Sequence, residues 1–270
     1  MENMAQKFIF PPHSVFVTAM SVISFGAGLY IGFNEIIGKH LQYSKLFNTK
    51  IYRSGDQSEA KQPITVPGRV GMLIVYTPAF LVGLASFFLL PGTGLRFFLL
   101  RSGLTVNFLK RILEVLFVHK YSGRMGTEAI TVITLGYFLG AATAIYTQHL
   151  SRDLLEPSVD LKYAGILLFV LGITGNFYHH CVLSNLRGKG EKEYKIPKGG
   201  LFNLVICPHY LFEILVFVGL SFIAQTLYSV CMAMGAALYL MGRSYATRKW
   251  YLSKFEDFPK DIKAIIPYVF

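Results

Sequence analysis

The sequence predicts an all-α integral membrane protein with seven transmembrane helices. Of its 270 residues, 53% are hydrophobic and only 15% are charged, whereas a soluble domain carries about 25% charged residues. Several uncharged runs also reach the roughly 18 residues that a helix needs to cross a bilayer. No internal repeat or change of composition divides the chain, so we expect one membrane domain over residues 1–270.

The seven predicted spans differ in how directly the sequence supports them. The first, second, fourth and fifth are free of charged residues. The third span contains four charged residues, and the last two come from one long apolar run that we divide near Gln225-Thr226. In chain order, the spans are approximately 15–33, 70–90, 97–118, 129–146, 163–183, 209–223 and 226–241.

The basic residues indicate how the spans are oriented, because lysine and arginine accumulate on cytoplasmic loops. Segments on one side of the seven spans hold 19 of the 26 Lys and Arg residues, and the other side holds four. This asymmetry predicts a lumenal N-terminus and a cytosolic C-terminus. The net charge of +11 is then mostly a matter of topology and of contact with the anionic bilayer surface. A nucleic-acid partner is not expected, since the basic residues are scattered over several loops.

The third span is unusual because Arg101, Lys110, Arg111 and Glu114 cannot all face lipid. Lys110 and Glu114 are four residues apart and share a helix face, and so do Asn107 and Arg111. Two interpretations are open. The charges form an internal salt bridge with snorkelling side chains, or they form a polar face that lines a cavity.

A metal site is not expected. His179, His180 and His209 are the histidines in the polar C-terminal third, and they lack the His-x-x-His or Cys-x-x-Cys spacing typical of zinc ligands. The three cysteines fall in apolar sequence and are expected to be buried thiols rather than disulfides.

Residues 163–270 carry a set of motifs that is specific when taken together. They are Gly175-Asn176, Leu186-Arg187, Tyr194 to Phe202, Cys207-Pro208 with Tyr210 and Glu213, Trp250-Tyr251, and the ending 255–267. With these motifs the region resembles the steroid 5α-reductase family (3-oxo-5-alpha-steroid 4-dehydrogenase), which also includes the trans-2-enoyl-CoA reductases. The segment from Leu109 to Lys120 looks closest to the enoyl-CoA reductase branch.

The resemblance implies a multi-pass protein of the endoplasmic reticulum membrane that holds NADPH near the cytosolic face. Position by position, the residues that match the family's cofactor-binding residues are Asn176, Arg187, Glu213, Arg243 and Tyr251.

Three further positions are implied in the cofactor site. His180 and His209 occupy cofactor-contacting positions, and Arg124 lies near a phosphate-binding arginine of the family. Arginine suits phosphate because its planar fork donates two parallel hydrogen bonds.

The chain departs from the family at the proton donors. Steroid reductases carry that role on a Glu in the second span and a Tyr in the third. Here Tyr76 stands where the Glu belongs, and Asn107-Phe108 stands where a His-Tyr pair is usual. We therefore expect Tyr76 to be the donor, with Asn107 as a helper; the alternative is that Tyr76 is an aromatic packing residue.

The expected activity is NADPH-dependent saturation of the C=C bond of a lipophilic α,β-unsaturated carbonyl compound, with a 3-oxo-4-ene steroid as the first choice. One alternative is trans-2-enoyl-CoA reduction in very-long-chain fatty acid elongation. Another is a catalytically weakened protein that binds cofactor or lipid and acts as a partner in a lipid-synthesis complex.

Overall fold

A computed structural model describes residues 7–11, 14–47, 64–92, 94–186, 188, 191 and 193–270. Within these ranges the chain is mostly helical, as predicted, with seven long helices at the positions of the seven predicted spans. They are α1 Val15–Ile36, α2 Gly68–Leu89, α3 Leu95–Leu113, α4 Thr127–Leu150, α5 Lys162–Asn185, α6 Pro208–Ala224 and α7 Leu227–Lys254.

Four of these helices, α1, α2, α4 and α5, are long and apolar enough to cross a membrane by length and composition. Helix α6 is apolar but shorter, at 17 residues. Helices α3 and α7 each contain several basic residues. The coarse prediction of a helical membrane protein therefore holds.

The chain is not purely α-helical, because the described residues also form a small antiparallel sheet. Strand β1 is Thr65–Pro67 and strand β2 is Arg124–Gly126, and Val66 pairs with Met125 at the centre of the sheet. We call this sheet the clip. It joins the segment before α2 to the segment before α4, a pairing too short and too distant in sequence to be seen in the pattern.

One helix ends and the next begins at Gln225 and Thr226, where the sequence analysis divides the last apolar run. Gln225 ends α6 in the left-handed conformation, with φ of 49°. Thr226 then begins α7, and its side-chain oxygen accepts a hydrogen bond from the Ser229 N–H at 3.3 Å, as an N-cap residue does.

Helix α7 extends well beyond the predicted end at residue 241, to Lys254. The extension is stabilised by a second apolar core that contains Cys207, Tyr251 and Phe258. The C-terminal segment reaches this core by pairing with the chain before α6, where the Ile206 N–H donates to the Lys263 carbonyl at 2.9 Å. A hydropathy window sees only the apolar part of the helix and therefore stops too early.

Helices α1 and α7 pack very closely along a glycine-lined contact. A Cβ atom added to Gly28 would lie 2.2 Å from the Gly235 carbonyl oxygen, and one added to Gly242 would lie 2.2 Å from the Gly32 carbonyl oxygen. Such distances leave no room for a side chain. Small residues of this kind allow two backbones in a membrane to approach, and here they hold the first helix of the bundle against the last.

Helix α3 ends in a wider π-helical turn over Glu114–Val118. The His119 N–H closes this turn by donating to the Glu114 carbonyl at 2.8 Å. Single π turns inside or at the end of α-helices are frequent at functional sites. This turn brings charged residues from the end of α3 to the same end of the bundle as the clip.

Candidate functional site

A cavity of about 260 Å³ opens at the end of the bundle where α1, α3, α5 and α7 finish. Its wall is formed by the loop after α1, the segment between α3 and α4, and the facing sides of α2, α4, α5, α6 and α7. Seven of the ten predicted site residues line it: Tyr76, Arg124, His180, His209, Glu213, Arg243 and Tyr251.

The other three predicted site residues lie elsewhere. Asn107 and Asn176 are buried and are not among the residues that line the cavity. Arg187 lies outside the described residues. Asn176 supports the wall from behind, because its Nδ2 donates to the His209 carbonyl at 2.8 Å and its Oδ1 accepts a hydrogen bond from Lys110 Nζ.

Tyr76 lies inside the cavity wall and is bound to a cation. The Arg111 guanidinium donates to the Tyr76 hydroxyl oxygen and lies 4.7 Å from the centre of its ring. Because the oxygen accepts this bond, the phenol can still donate its own proton to another group. Tyr76 also packs against an aromatic ring, with its ring centre 5.7 Å from that of Tyr137, and its role as the donor stays a prediction.

Both interpretations of the third span hold in part. Lys110 Nζ lies 2.8 Å from Glu114 Oε1, and Arg111 Nη1 donates to Glu114 Oε2 at 3.1 Å, so an internal salt bridge exists. Arg111 also lines the cavity. The charges of α3 therefore neutralise one another while presenting one cation to the cavity.

Two imidazole side chains lie next to this salt bridge, and the sequence analysis did not predict that they are close to each other. His180 Nδ1 is 3.0 Å from Glu114 Oε1, and the His119 ring centre is 4.7 Å from that of His180. Burial, together with the nearby Arg111 guanidinium, lowers the pKa of His119 to about 4.

The positions of these groups raise the question of whether they could bind a metal ion. Ligand atoms of Glu114, His119 and His180 all lie within 4.8 Å of one another, which is close enough for one ion. Two cationic side chains already bind the same carboxylate, and they oppose a further cation by Coulomb repulsion. That no metal binds stays a prediction.

Arg243, predicted to bind phosphate, donates hydrogen bonds to three acceptors within the protein. It is 2% exposed and donates to Glu35 Oε1 at 2.9 Å, the Leu41 carbonyl at 3.0 Å and the Tyr43 carbonyl at 2.8 Å. Its guanidinium also lies 3.8 Å from the Tyr43 ring centre. In this arrangement Arg243 anchors the loop after α1 to α7.

Two other predicted residues lie at the cavity mouth. Arg124 is exposed, and its Nε donates to Thr65 Oγ1 at 2.6 Å across the clip. The Tyr251 hydroxyl donates to the Lys195 carbonyl at 3.4 Å. The Tyr251 ring faces the amine of Lys45, whose Nζ lies 4.5 Å from the ring centre.

Sequence reasoning missed Tyr137 on α4, which lines the cavity beside Tyr76. Its hydroxyl donates to Glu213 Oε1 at 3.0 Å, and its ring centre is 5.7 Å from that of Tyr76 and 5.3 Å from that of Phe108. Helix α4 has no charged residue near this position, and one tyrosine in an apolar helix carries no signal that separates it from packing residues.

Two buried polar atoms of the wall have no hydrogen-bond partner among the described residues. They are His209 Nδ1 and Arg111 Nε. Buried polar atoms without a partner are rare in proteins and indicate that water or a ligand supplies the missing bond. The wall therefore suits a ligand that has polar atoms as well as flat apolar parts.

Comparison with known proteins identifies relatives of this chain. A family model described as 3-oxo-5-alpha-steroid 4-dehydrogenase matches residues 124–270. The chain is 34% identical over 169 residues to a very-long-chain enoyl-CoA reductase of Dictyostelium discoideum, covering 61% of this chain and 55% of that protein.

Two steroid reductases are also similar. Steroid 5-alpha-reductase DET2 of Gossypium hirsutum is 43% identical over 108 residues, 40% of this chain and 42% of that protein. The 3-oxo-5-alpha-steroid 4-dehydrogenase 2 of Homo sapiens is 36% identical over 112 residues, 41% of this chain and 44% of that protein. In these matches the chain spans about half the length of its relatives.

Proposed function

Because this chain belongs to the 3-oxo-5-alpha-steroid 4-dehydrogenase family, we propose that it is a membrane reductase that saturates the C=C bond of a lipophilic α,β-unsaturated carbonyl compound. The proposed cofactor is NADPH and the proposed substrate is a 3-oxo-4-ene steroid. The observation that carries the proposal is the phenol of Tyr76, bound to the Arg111 guanidinium inside the cavity.

The reaction adds a hydride to the β-carbon and, once the enolate has formed, a proton to the α-carbon; NADPH would supply the hydride when bound. As the hydride adds, the electron pair of the C=C bond moves toward the carbonyl oxygen, which becomes an enolate. Tyr76 would hold its proton on the hydroxyl oxygen, donate it as a hydrogen bond to the carbonyl oxygen, and so stabilise that charge. Arg111 would stabilise the phenolate if the proton transfers fully.

The cavity wall offers groups that fit a nicotinamide cofactor. Among the described residues, the buried His209 Nδ1 lacks a hydrogen-bond partner, and Glu213 has an acceptor carboxylate held by Tyr137. The carboxamide of the cofactor carries both an acceptor oxygen and donor N–H groups, and could satisfy both. His180, Tyr251 and Arg124 complete the wall toward the mouth, while Asn176 holds the His209 backbone in place. Asn107 and Arg187 remain proposed members of the site on the resemblance alone.

We also propose the finer membrane arrangement: a single domain with seven spans, a lumenal N-terminus and a cytosolic C-terminus, in the endoplasmic reticulum membrane. Its support is that the cavity opens at the end of the bundle that carries the basic segments. A water-soluble dinucleotide would enter from that side. Residues 163–270 would supply most of the cofactor site.

A second candidate function is reduction of a trans-2-enoyl-CoA. The match to the Dictyostelium enoyl-CoA reductase covers 169 residues, against 108 and 112 for the two steroid reductases. The other alternative is a non-catalytic member that binds cofactor or lipid within a lipid-synthesis complex. A phenol bound to a cation in the cavity speaks against that alternative, because a scaffold has no use for an acid at this position.

The test uses membranes that contain the full chain and NADPH deuterated at the transferable position. A 4-en-3-one steroid and a long-chain trans-2-enoyl-CoA are offered separately, and the products are read by mass spectrometry. Deuterium in the saturated steroid supports the first function, and deuterium in the saturated acyl-CoA supports the second. If NADPH binds but neither product forms, reduction of these two substrates is refuted.

Variants of two tyrosines test the proposed acid. Tyr76→Phe should lower turnover by about 100-fold or more, within the range that general acid catalysis contributes, and leave NADPH binding unchanged. Tyr30→Phe is the matched control, because Tyr30 lies on α1 and is 68% exposed. Equal turnover in the two variants would remove Tyr76 from the mechanism.

A further inference from the structure

Lys45 lies in a segment whose backbone is fixed over the mouth of the cavity. It belongs to a short 3-10 turn, Ser44–Leu46, in the loop after α1. On one side Tyr43 is buried and its hydroxyl is 2.6 Å from that of Tyr239. On the other side Leu46 is 1% exposed. Between these two anchors the direction of Lys45 is determined.

The turn also carries local backbone strain. Ser44 has φ of 55°, a left-handed conformation that is uncommon for residues other than glycine. Strained residues of this kind persist where the surrounding structure holds them, and they cluster at ligand sites. Here the buried side chains of Tyr43 and Leu46 hold the strained turn in place. The same turn places Lys45 at the mouth of the cavity.

The amine of Lys45 faces aromatic rings rather than a carboxylate. Its Nζ lies 4.5 Å from the ring centre of Tyr251 and 5.9 Å from that of Tyr194, and Lys45 lines the cavity. Among the described residues, no Asp or Glu side chain lies within ion-pair distance of it. A cation held by ring faces alone keeps its full charge for an incoming anion.

The other cationic side chains of the cavity wall are bound to groups within the protein. Arg111 binds Glu114 and Arg243 binds Glu35, Arg124 bonds to Thr65 across the clip, and Lys195 Nζ lies 2.6 Å from Glu191. Lys120 also has a partner within the protein. Lys45 differs from these side chains because, among the described residues, its amine contacts aromatic rings and no oxygen acceptor.

We propose that Lys45 binds a phosphate group of the ligand that occupies this cavity. The inference rests on the proposed function, in which that ligand is a dinucleotide; the flat faces of Tyr194 and Tyr251 then lie beside the phosphate, where a base or a ribose can pack. Lysine is a compact point charge with three donors and suits a phosphate without requiring one fixed orientation. Neither the motifs of the C-terminal region nor the arginines they contain pointed to this residue.

The test measures dissociation constants of NADPH and NADH for the detergent-solubilised full chain, without turnover. Lys45→Gln should weaken NADPH binding by about tenfold or more, the usual effect of losing a hydrogen bond to a charged group. Lys45→Arg should keep most of the affinity. Lys249→Gln is the matched control, because Lys249 is exposed on α7 and is not among the residues that line the cavity, and it should change binding less than twofold.

A second readout is the salt dependence of binding. Each cation–phosphate contact at an exposed mouth is screened by salt, so the affinity of Lys45→Gln should fall less steeply with salt than that of the unaltered chain. A loss for NADPH alone places Lys45 at the ribose phosphate, and an equal loss for NADH places it at the pyrophosphate; both support the inference.

Two other outcomes are distinguishable from each other. If the unaltered chain binds NADPH and Lys45→Gln binds it equally well with the same salt dependence, the inference is overturned while the proposed function stands. If the unaltered chain binds neither dinucleotide, the proposed function and the inference fall together.

Discussion

Replacing Arg243 by methionine should strongly destabilise the fold, because it would leave the Glu35 carboxylate buried without its cation. Glu35 is 0% exposed and Arg243 is 2% exposed, and their charged atoms are 2.9 Å apart. The guanidinium also donates to two backbone carbonyls of the loop after α1, which would lose their donor. Breaking a buried ion pair by removing one partner typically lowers stability by about 3–5 kcal/mol.

For a chain of this size, a loss of this order corresponds to a melting temperature lower by roughly 10 °C. The assay is thermal unfolding in detergent, followed by the fluorescence of the single tryptophan, Trp250, which packs against Tyr251 near the end of α7. Lys249→Met is the matched control, since it removes an exposed cation from the same helix and should shift the melting temperature by less than about 2 °C.

A double variant separates the buried charge from general damage to the core. Glu35→Leu with Arg243→Met removes both charges, and replacing a buried pair by apolar residues is often close to neutral. It should therefore melt at a higher temperature than Arg243→Met alone. The reasoning is refuted if Arg243→Met melts with the unaltered chain, or if the double variant is the least stable of the three.

Three other perturbations have defined outcomes. Gly28→Ala should lower the melting temperature more than Gly26→Ala, because an added Cβ meets the Gly235 backbone at 2.2 Å in the first case and nothing within 4 Å in the second; equal shifts would contradict the close packing. For His119, the folded-state pKa of about 4 lies below the ordinary value of 6.5, so the unfolded chain binds the proton first and stability should fall as the pH drops from 6.5 toward 4. A melting temperature that does not change over this pH window would refute that assignment. Tyr137→Phe removes the hydrogen bond to a carboxylate of the cavity wall and should weaken NADPH binding severalfold; unaltered binding in the same titration would show that this bond does not position the carboxylate.

The positions of the helices could be predicted from the sequence because apolar runs of bilayer length are strong local signals. The division at Gln225 was also visible, since polar residues interrupt an apolar run there. The end of α7 was not, because it depends on a core made with residues of the C-terminal segment such as Phe258. Contacts of that kind leave no trace in the hydropathy of the helix itself.

The sequence predicted those parts of the candidate site that consist of charged residues in an apolar helix. It did not predict the contacts between residues that are far apart in the chain. Lys110 and Glu114 stand out as charges in an apolar helix, and their salt bridge follows from helical spacing. The partner of Arg243 is 208 positions away, and nothing local distinguishes an arginine that anchors a loop from one that binds phosphate. Lys45 was missed for the opposite reason: it lies in a loop, where lysine is ordinary.

The close contact of α1 with α7 has a consequence for how the protein is made. Chains are synthesised from the N-terminus at about 5–20 residues per second, and Glu35 and Arg243 are separated by 208 positions. Roughly 10 to 40 seconds therefore pass between the synthesis of the carboxylate at the end of α1 and the synthesis of its cation on α7. During this interval α1 also lacks the partner for its glycine face. We expect ribosome-bound chains that stop before α7 to keep α1 associated with the membrane insertion machinery, and to release it only when the last helix arrives.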